Sequence, residues 1–365
     1  MSSLTKEKLI IALHKLSKFM FKPSDEFKSI MESANHHNAW FSVDEVEKAM
    51  ISLSKMLNND DLNTWFNTIK LNETPKKVGL ILAGNIPLVG FHDVLCVLAT
   101  GNIALIKMSS ADDKLLPAIL KQLIVFEPAL TNQIEYVERL KDFDAIIATG
   151  SNNTSRYFDY YFAKVPNIIR KNRNSVAVLG GDETAAELEN LGHDIFDYFG
   201  LGCRNVSKIY VPANYDLKNF FEPVEKYQPI INHFKYNNNY DYNKSIYLVN
   251  GVKHFDNGFL LVKEDENFVS PLAVLFYEEY DNLNEIENKI KANIFKQISN
   301  LINDYPNNFY LITSRPQHYN REFDNQIGNF KIPVFLLQKM KDNQIEDFLT
   351  RNGKPVKSYI LNEIN

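Results

Sequence analysis

The stretch GLGCRNVSK (200–208) holds Cys203 between a helix-like run, His193 to Phe199, and a strand-like run, Lys208 to Pro212. A free cysteine is most often a small buried hydrophobe. Here Gly200 and Gly202 let backbone come close to a ligand, and the adjacent Arg204 guanidinium favours the thiolate, the nucleophilic form. Two turns add further chemistry. In AGNIPLVG (83–90), Asn85 either bonds its own backbone or points its amide at a reacting carbonyl to stabilise an oxyanion. In TGSNNTSRYF (149–158), Gly150 and Ser151 either begin a helix in the ordinary way or present amides to an anion such as a pyrophosphate. His92, in the helix after Asn85, is either a proton donor or a polar residue at a helix–sheet contact. Cys96, four residues further on in the same apolar helix, reads as core.

Composition removes several alternatives. A net charge of −5 gives no electrostatic footprint for nucleic acid, which would want a basic face. Two cysteines form no disulfide framework, and no Cys/His cluster has zinc spacing, so a reducing, cytoplasmic setting is expected. The apolar stretch 77–108 imitates a membrane span. However, Asn85, Pro87, His92, Asp93 and Asn102 interrupt it, and a mid-bilayer aspartate costs about 2.5–3.5 kcal/mol. Two short buried strands around a helix explain that stretch better.

The elements that must carry these residues follow from periodicity. Residues 1–70 read as helical, with Ser42 three positions before Glu45 in capping-box spacing. From Lys77 onward, strands (VGLILA, IALIKM, DAIIAT, PNIIRK, SVAVLG) alternate with helices (LVGFHDVLCVLAT, 112–126, 154–163). Strands apolar on both faces and separated by helices predict βαβ units and a mainly parallel sheet. Later strands are expected at 208–211, 259–262, 272–276, 309–313 and 334–337, with helices at 283–302 and 341–349. KYNNNYDYNKS (235–245) is polar and turn-rich and reads as an exposed loop or hairpin connection, and GKPVKSYIL as a terminal strand in need of a pairing partner.

The ordered series AGNIPL, ALIKMSS, ATGSNNTS, VLGGDE, GLGCRNVSKIYVP and NFVSPLAVL resembles the aldehyde dehydrogenase superfamily, and within it the LuxC-like acyl-CoA reductases, from about residue 77 to about 276. The resemblance implies an α/β fold of two βαβ-type domains with mainly parallel sheets and a helical N-terminal segment. The implied boundaries are 1–70 helical, 71–174 dinucleotide-binding, 175–345 catalytic, and 346–365 a C-terminal helix end and strand suited to oligomer contact. It makes Cys203 the thiol that holds an acyl group as a thioester, with the Asn85 amide and the Cys203 N–H forming the oxyanion hole. Lys107 and Ser109 match the family's Lys-Pro-Ser turn, with Met108 where proline stands, and Gly150 and Ser151 match its diphosphate-binding pair. Ser155 replaces a frequent glycine, and Asn267 falls where a ribose-binding glutamate often stands.

At VLGG, the resemblance puts Val178 where hydrolytic aldehyde dehydrogenases have a glutamate in Glu-Leu-Gly-Gly, with Gly180 beside it as a cofactor contact. A valine cannot activate water, so the expected enzyme is acylating and reductive. It would use NADPH, or NADH, to turn an acyl-CoA into an aldehyde. The resemblance further implies an acyl-protein synthetase partner and a homo-oligomer. A reductase of acyl phosphates and a cofactor-free acyl-carrying scaffold are the alternatives.

Overall fold

The computed structural model describes residues 4–67, 69, 72, 74–150, 152–170, 175–202, 204–282, 285–286, 289, 350–351 and 354–355. Cys203 and Ser151 therefore lie outside the described residues. So do the expected elements at 309–313, 334–337 and 341–349, nearly all of 283–302, and most of the C-terminal tail. The chain divides into two compact units, Met1–Lys171 and Asn172–Asn365.

The first unit opens with four helices: α1 Lys6–Phe21, α2 Asp25–His37, α3 Val43–Met56 and α4 Asn59–Asn67. Thr5, Ser24 and Ser42 cap the first three, each side-chain oxygen accepting from a first-turn N–H three residues on. A sheet follows, built from β1 Lys77–Ile81, α5 Phe91–Ala99, β2 Ile103–Lys107, α6 Leu115–Phe126, β3 Ile134–Tyr136, β4 Ala145–Thr149, α7 Asn152–Phe162 and β5 Asn167–Arg170. Its strand order is β3-β2-β1-β4-β5, with every neighbouring pair parallel. Helices α1–α4 are not free-standing: Leu9, Leu13, Leu16, Phe41 and Phe66 share one core with Leu80, Leu98, Ile106 and Ile119. The amphipathic stripe of each helix is buried against that common core.

The second unit holds β6 Ser175–Val178, α8 Ala185–Phe196, β7 Val206–Pro212, α9 Lys218–Val224, α10 Phe234–Val249, β8 Phe255–Asp256, β9 Leu261–Glu264 and β10 Val274–Tyr280. Its sheet order is β6-β7-β10-β9-β8, parallel except for the β8–β9 pair. A short antiparallel pair, β11 Thr350–Arg351 and β12 Lys354–Pro355, is described at the C-terminal end.

One expected loop is a helix. Residues 235–245 lie inside α10, although asparagine and aspartate are weak helix formers. Tertiary contacts override that propensity, because Tyr236, Tyr240, Asn243 and Tyr247 recur at helical spacing and are all buried. Their polar ends are satisfied: the Tyr236 hydroxyl donates to the Phe259 carbonyl (3.0 Å), and the Asn243 amide donates to the Leu272 carbonyl (2.8 Å). The short strands β3 and β8 have too few residues for an alternation to register in the sequence.

Candidate functional site

In an open parallel sheet, ligands bind beyond the carboxyl ends of the strands, where strand order reverses. In the first unit that reversal falls between β1 and β4. The Asn85 turn leaves β1 and Gly150 follows β4, so these two expected site residues flank the switch point. Lys107 ends β2 on the same edge and is exposed, and Ser109 follows it. The Asn85 side chain is also exposed to solvent.

The two turns on the β1–β2 side are in contact. A Cβ added to Gly84 would lie 2.8 Å from the Ser109 Cβ and 3.2 Å from the Ala111 Cβ, so only glycine permits this approach. The Ser109 Oγ accepts from the Ala111 N–H (3.3 Å). Gly84→Ala is expected to cost about 1–3 kcal/mol by overpacking and to push the Asn85 and Lys107–Ser109 turns apart. Chemical denaturation with acyl-transfer and dinucleotide-binding assays checks this; unchanged stability and activity would count against it.

Gly150 differs from its expected use in one respect. Its N–H donates to the Arg170 carbonyl (3.0 Å) as an extension of the β4–β5 ladder. An anion at this edge would therefore be expected at the start of α7 and not at the Gly150 N–H, since the first N–H groups of a helix lack intrahelical partners. An exposed lysine, a serine turn packed against glycine and the start of an eleven-residue helix fit a dinucleotide at this edge.

His92 lies in the first turn of α5, partly buried. The Cys96 sulfur is 3.7 Å from its Nδ1, and the neighbouring Asp93 carboxylate is 3.9 Å away. Burial opposes protonation of the ring, but the Cys96 sulfur and Asp93 outweigh it and raise the imidazole to about 9. Asp93 itself is buried and bonds the Arg170 guanidinium at the end of β5. Burial works against the Asp93 charge, yet Arg170, with His92, holds its carboxyl well below the ordinary carboxylate range. This is a charge-paired packing cluster linking α5 to β5.

In the second unit the residues on either side of Cys203 form a tight turn. The Gly202 N–H donates to the Asn205 Oδ1 (2.7 Å), and the Asn205 N–H donates back to the Gly202 carbonyl (3.0 Å). The buried Asn205 amide also donates to the carbonyls of Asp194 (2.9 Å) and Asp197 (3.0 Å). The chain enters this turn through three consecutive left-handed residues, Tyr198 (φ 54°), Phe199 (φ 58°) and Gly200 (φ 76°). For the two aromatic residues that conformation costs about 1–3 kcal/mol each, and Asn205 holds the carbonyls that bracket them. Arg204 is buried. Asp194 is raised to about 7, first by burial and then by the charge of Asp197. Nothing in the sequence separates Asn205 from an ordinary turn asparagine.

The structure corrects the reading of Val178. In the parallel β6–β7 pair, Ser175 lies opposite Val206 and Val178 opposite Tyr210. Gly202 and Asn205 precede Val206, so the cysteine turn belongs to the N-terminal edge of this strand pair and Val178 to the C-terminal edge. At ~3.3 Å per residue the separation along the strand is roughly 13 Å. A side chain at 178 does not reach an acyl group carried beside Gly202, so its lack of a basic oxygen does not bear on hydrolysis. The residues leading into the cysteine edge of β6, 171–174, lie outside the described residues. Gly180 shares Val178's edge; its N–H and that of Gly181 (3.2 Å) both donate to the Glu183 carboxylate, an internal anion. Asn267 caps its own turn, its amide donating to Asp265 (2.8 Å).

No helix among the described residues is long and apolar enough to cross a membrane, and no group of three metal-ligating side chains occurs among them.

Comparison with known proteins adds to this geometry. Residues 24–226 match the model of the family described as acyl-CoA reductase (LuxC). Among solved structures, an NADP-dependent enzyme of E. coli is similar at 14% identity, over 78% of this chain and 70% of that one, with a TM-score of 0.57. A P. syringae indole-3-acetaldehyde dehydrogenase variant, in complex with NAD+ and IAA, is similar at 14% identity over 79% and 69%, with a TM-score of 0.56. An aldehyde dehydrogenase C variant from Pseudomonas syringae, in complex with NAD+ and octanal, is similar at 15% identity over 77% and 69%, with a TM-score of 0.53. At these identities the likeness carries the fold alone, which is that of the aldehyde dehydrogenases. No curated protein matches the chain.

Proposed function

The chain belongs to the acyl-CoA reductase (LuxC) family, and from that membership we propose that this oxidoreductase reduces a fatty acyl-CoA to the aldehyde through a thioester on Cys203. The observation that carries the reading is the meeting of the Asn85 turn, the Lys107–Ser109 turn and Gly150 on one sheet edge across the switch point. The proposed nicotinamide dinucleotide is held at that edge by Lys107, Ser109 and Ser151, with Gly150 keeping the turn before α7 free of a side chain and not donating to it. NADPH is the proposed donor and NADH the alternative. The same proposal includes an acyl-protein synthetase as the source of acyl groups and association into a homo-oligomer.

In the proposed chemistry, the Cys203 thiolate attacks the acyl carbon, and the Asn85 amide and the Cys203 N–H donate to the resulting oxyanion. The carbon–sulfur bond to coenzyme A breaks, and the departing thiolate takes a proton. The dinucleotide, when bound, supplies hydride for the thioester carbon. The tetrahedral oxyanion then re-forms its carbonyl, the bond to the Cys203 sulfur breaks, and aldehyde leaves while the thiolate is regenerated. His92 has no step in this scheme, since its ring is engaged with Cys96 and Asp93 on its own helix.

Mass spectrometry of protein incubated with a panel of acyl-CoAs without dinucleotide tests the reading. The expected result is an acyl adduct on Cys203, cleared as aldehyde when NADPH is added. Adducts from acyl phosphates but not from acyl-CoA would move the reading to acyl-phosphate reduction. An adduct that survives NADPH, with no saturable dinucleotide binding by intrinsic fluorescence, would make the protein an acyl-carrying scaffold. Asn85→Ala is expected to slow coenzyme A release about 10²–10³-fold, the typical effect of losing one oxyanion donor. Stopped-flow thiol detection measures it, and a wild-type rate would remove Asn85 from the oxyanion role.

A further inference from the structure

Asp112, between β2 and α6, is buried at 3% exposure, yet it is absent from every role assigned above. Its carboxylate is turned back toward the preceding βα turn. Oδ2 accepts from the Leu88 N–H (2.9 Å) and Oδ1 from the Leu116 N–H (3.3 Å). Leu88 lies three residues after Asn85 and sits in the left-handed region (φ 59°), which a leucine avoids unless its surroundings hold it there. A second arm reaches the same place: the Asn38 amide donates to the Ala111 carbonyl (3.3 Å), with the Gly84 carbonyl at 3.5 Å. The backbone segment carrying Asn85 is thus gripped from both ends, at Gly84 by Asn38 and at Leu88 by Asp112.

We infer that Asp112 is a positioning residue for the Asn85 turn, holding Leu88 in its left-handed conformation so that the Asn85 amide keeps its direction. This rests on the oxyanion role proposed for Asn85. A carboxylate suits the task because both oxygens accept, one for each N–H. In Asp112→Asn one oxygen becomes an NH₂ group that meets a backbone donor, so one of the two bonds is lost.

The test is a double-mutant cycle on the rate of coenzyme A release, with the acyl-CoA from the panel above that acylates the wild-type protein best. Asp112→Asn is expected to slow release about 10–100-fold, the scale of a small misplacement near a reacting centre. In an Asn85→Ala background the same substitution is expected to change the rate less than about twofold, because the group it positions is already gone. Additive losses, or a wild-type rate in Asp112→Asn alone, would overturn the proposal while leaving the Asn85 assignment intact. A wild-type rate in Asn85→Ala alone would remove that assignment and the proposal with it. Should Asp112→Asn fail to fold by circular dichroism, Asp112→Ser, which keeps one acceptor oxygen, carries the same cycle with the same outcomes.

Discussion

Replacing Cys203 with serine is expected to abolish aldehyde formation, by about 10⁴-fold or more, and to eliminate the acyl adduct in mass spectrometry. The physical reason is that sulfur is the nucleophile only as thiolate, and a serine hydroxyl has no comparable anionic population near neutral pH. Its oxygen ester would also be a poorer hydride acceptor than a thioester. Dinucleotide binding should stay within about twofold, because the residues proposed for it lie on the first unit's sheet and not on the cysteine turn. Full aldehyde formation by Cys203→Ser would dismiss the covalent scheme. Adducts on Cys96 would show that the second cysteine, buried and beside His92, is the reactive one.

Arg170→Met is expected to be the most damaging substitution for stability within the first unit. The Asp93 side chain is 6% exposed and bonds the Arg170 guanidinium, on a side chain that is itself only 12% exposed. Removing the guanidinium leaves the buried carboxylate with only the His92 ring, 3.9 Å away, as a cation, and breaking a buried pair from one side costs about 3–5 kcal/mol. The double variant Arg170→Met with Asp93→Asn should recover much of that loss, since the uncompensated charge is gone. The pH dependence has two signs. Asp93, held below its ordinary pKa, contributes stability that is present above pH 3.8 and lost as pH falls into the acid range. His92, raised to about 9, contributes stability present below pH 6.5 and lost as pH rises through 9. Denaturant unfolding of the wild-type and variant proteins across that range measures both. A stability loss under about 1 kcal/mol in Arg170→Met would show that the pair is solvated.

Both predictions begin from residues legible in the sequence to different degrees. Cys203 stands out by type and by its glycine neighbours, and the order of six motifs carries the resemblance to the LuxC-like acyl-CoA reductases, the family whose model matches residues 24–226. Asp93 and Arg170 are 77 positions apart, and nothing local marks either as the partner of the other. Asp112 reads in sequence as the start of a helix, since an aspartate before an apolar run is the usual N-cap pattern. Its real partner includes Leu88, 24 residues earlier.

Periodicity determined the alternation of parallel strands and helices, because strands buried on both faces must be apolar throughout and helices must bury one stripe. Residue type determined the candidates, since sulfur, amide and glycine chemistry is local. Tertiary structure decided the rest. Strand order put the Asn85, Lys107 and Gly150 turns on one edge of the sheet. Strand register moved Val178 to the edge opposite the cysteine turn. Buried tyrosine contacts made a helix of the asparagine-rich run at 235–245. These facts depend on pairings between residues far apart in the chain, and no single window of sequence contains both members of such a pair.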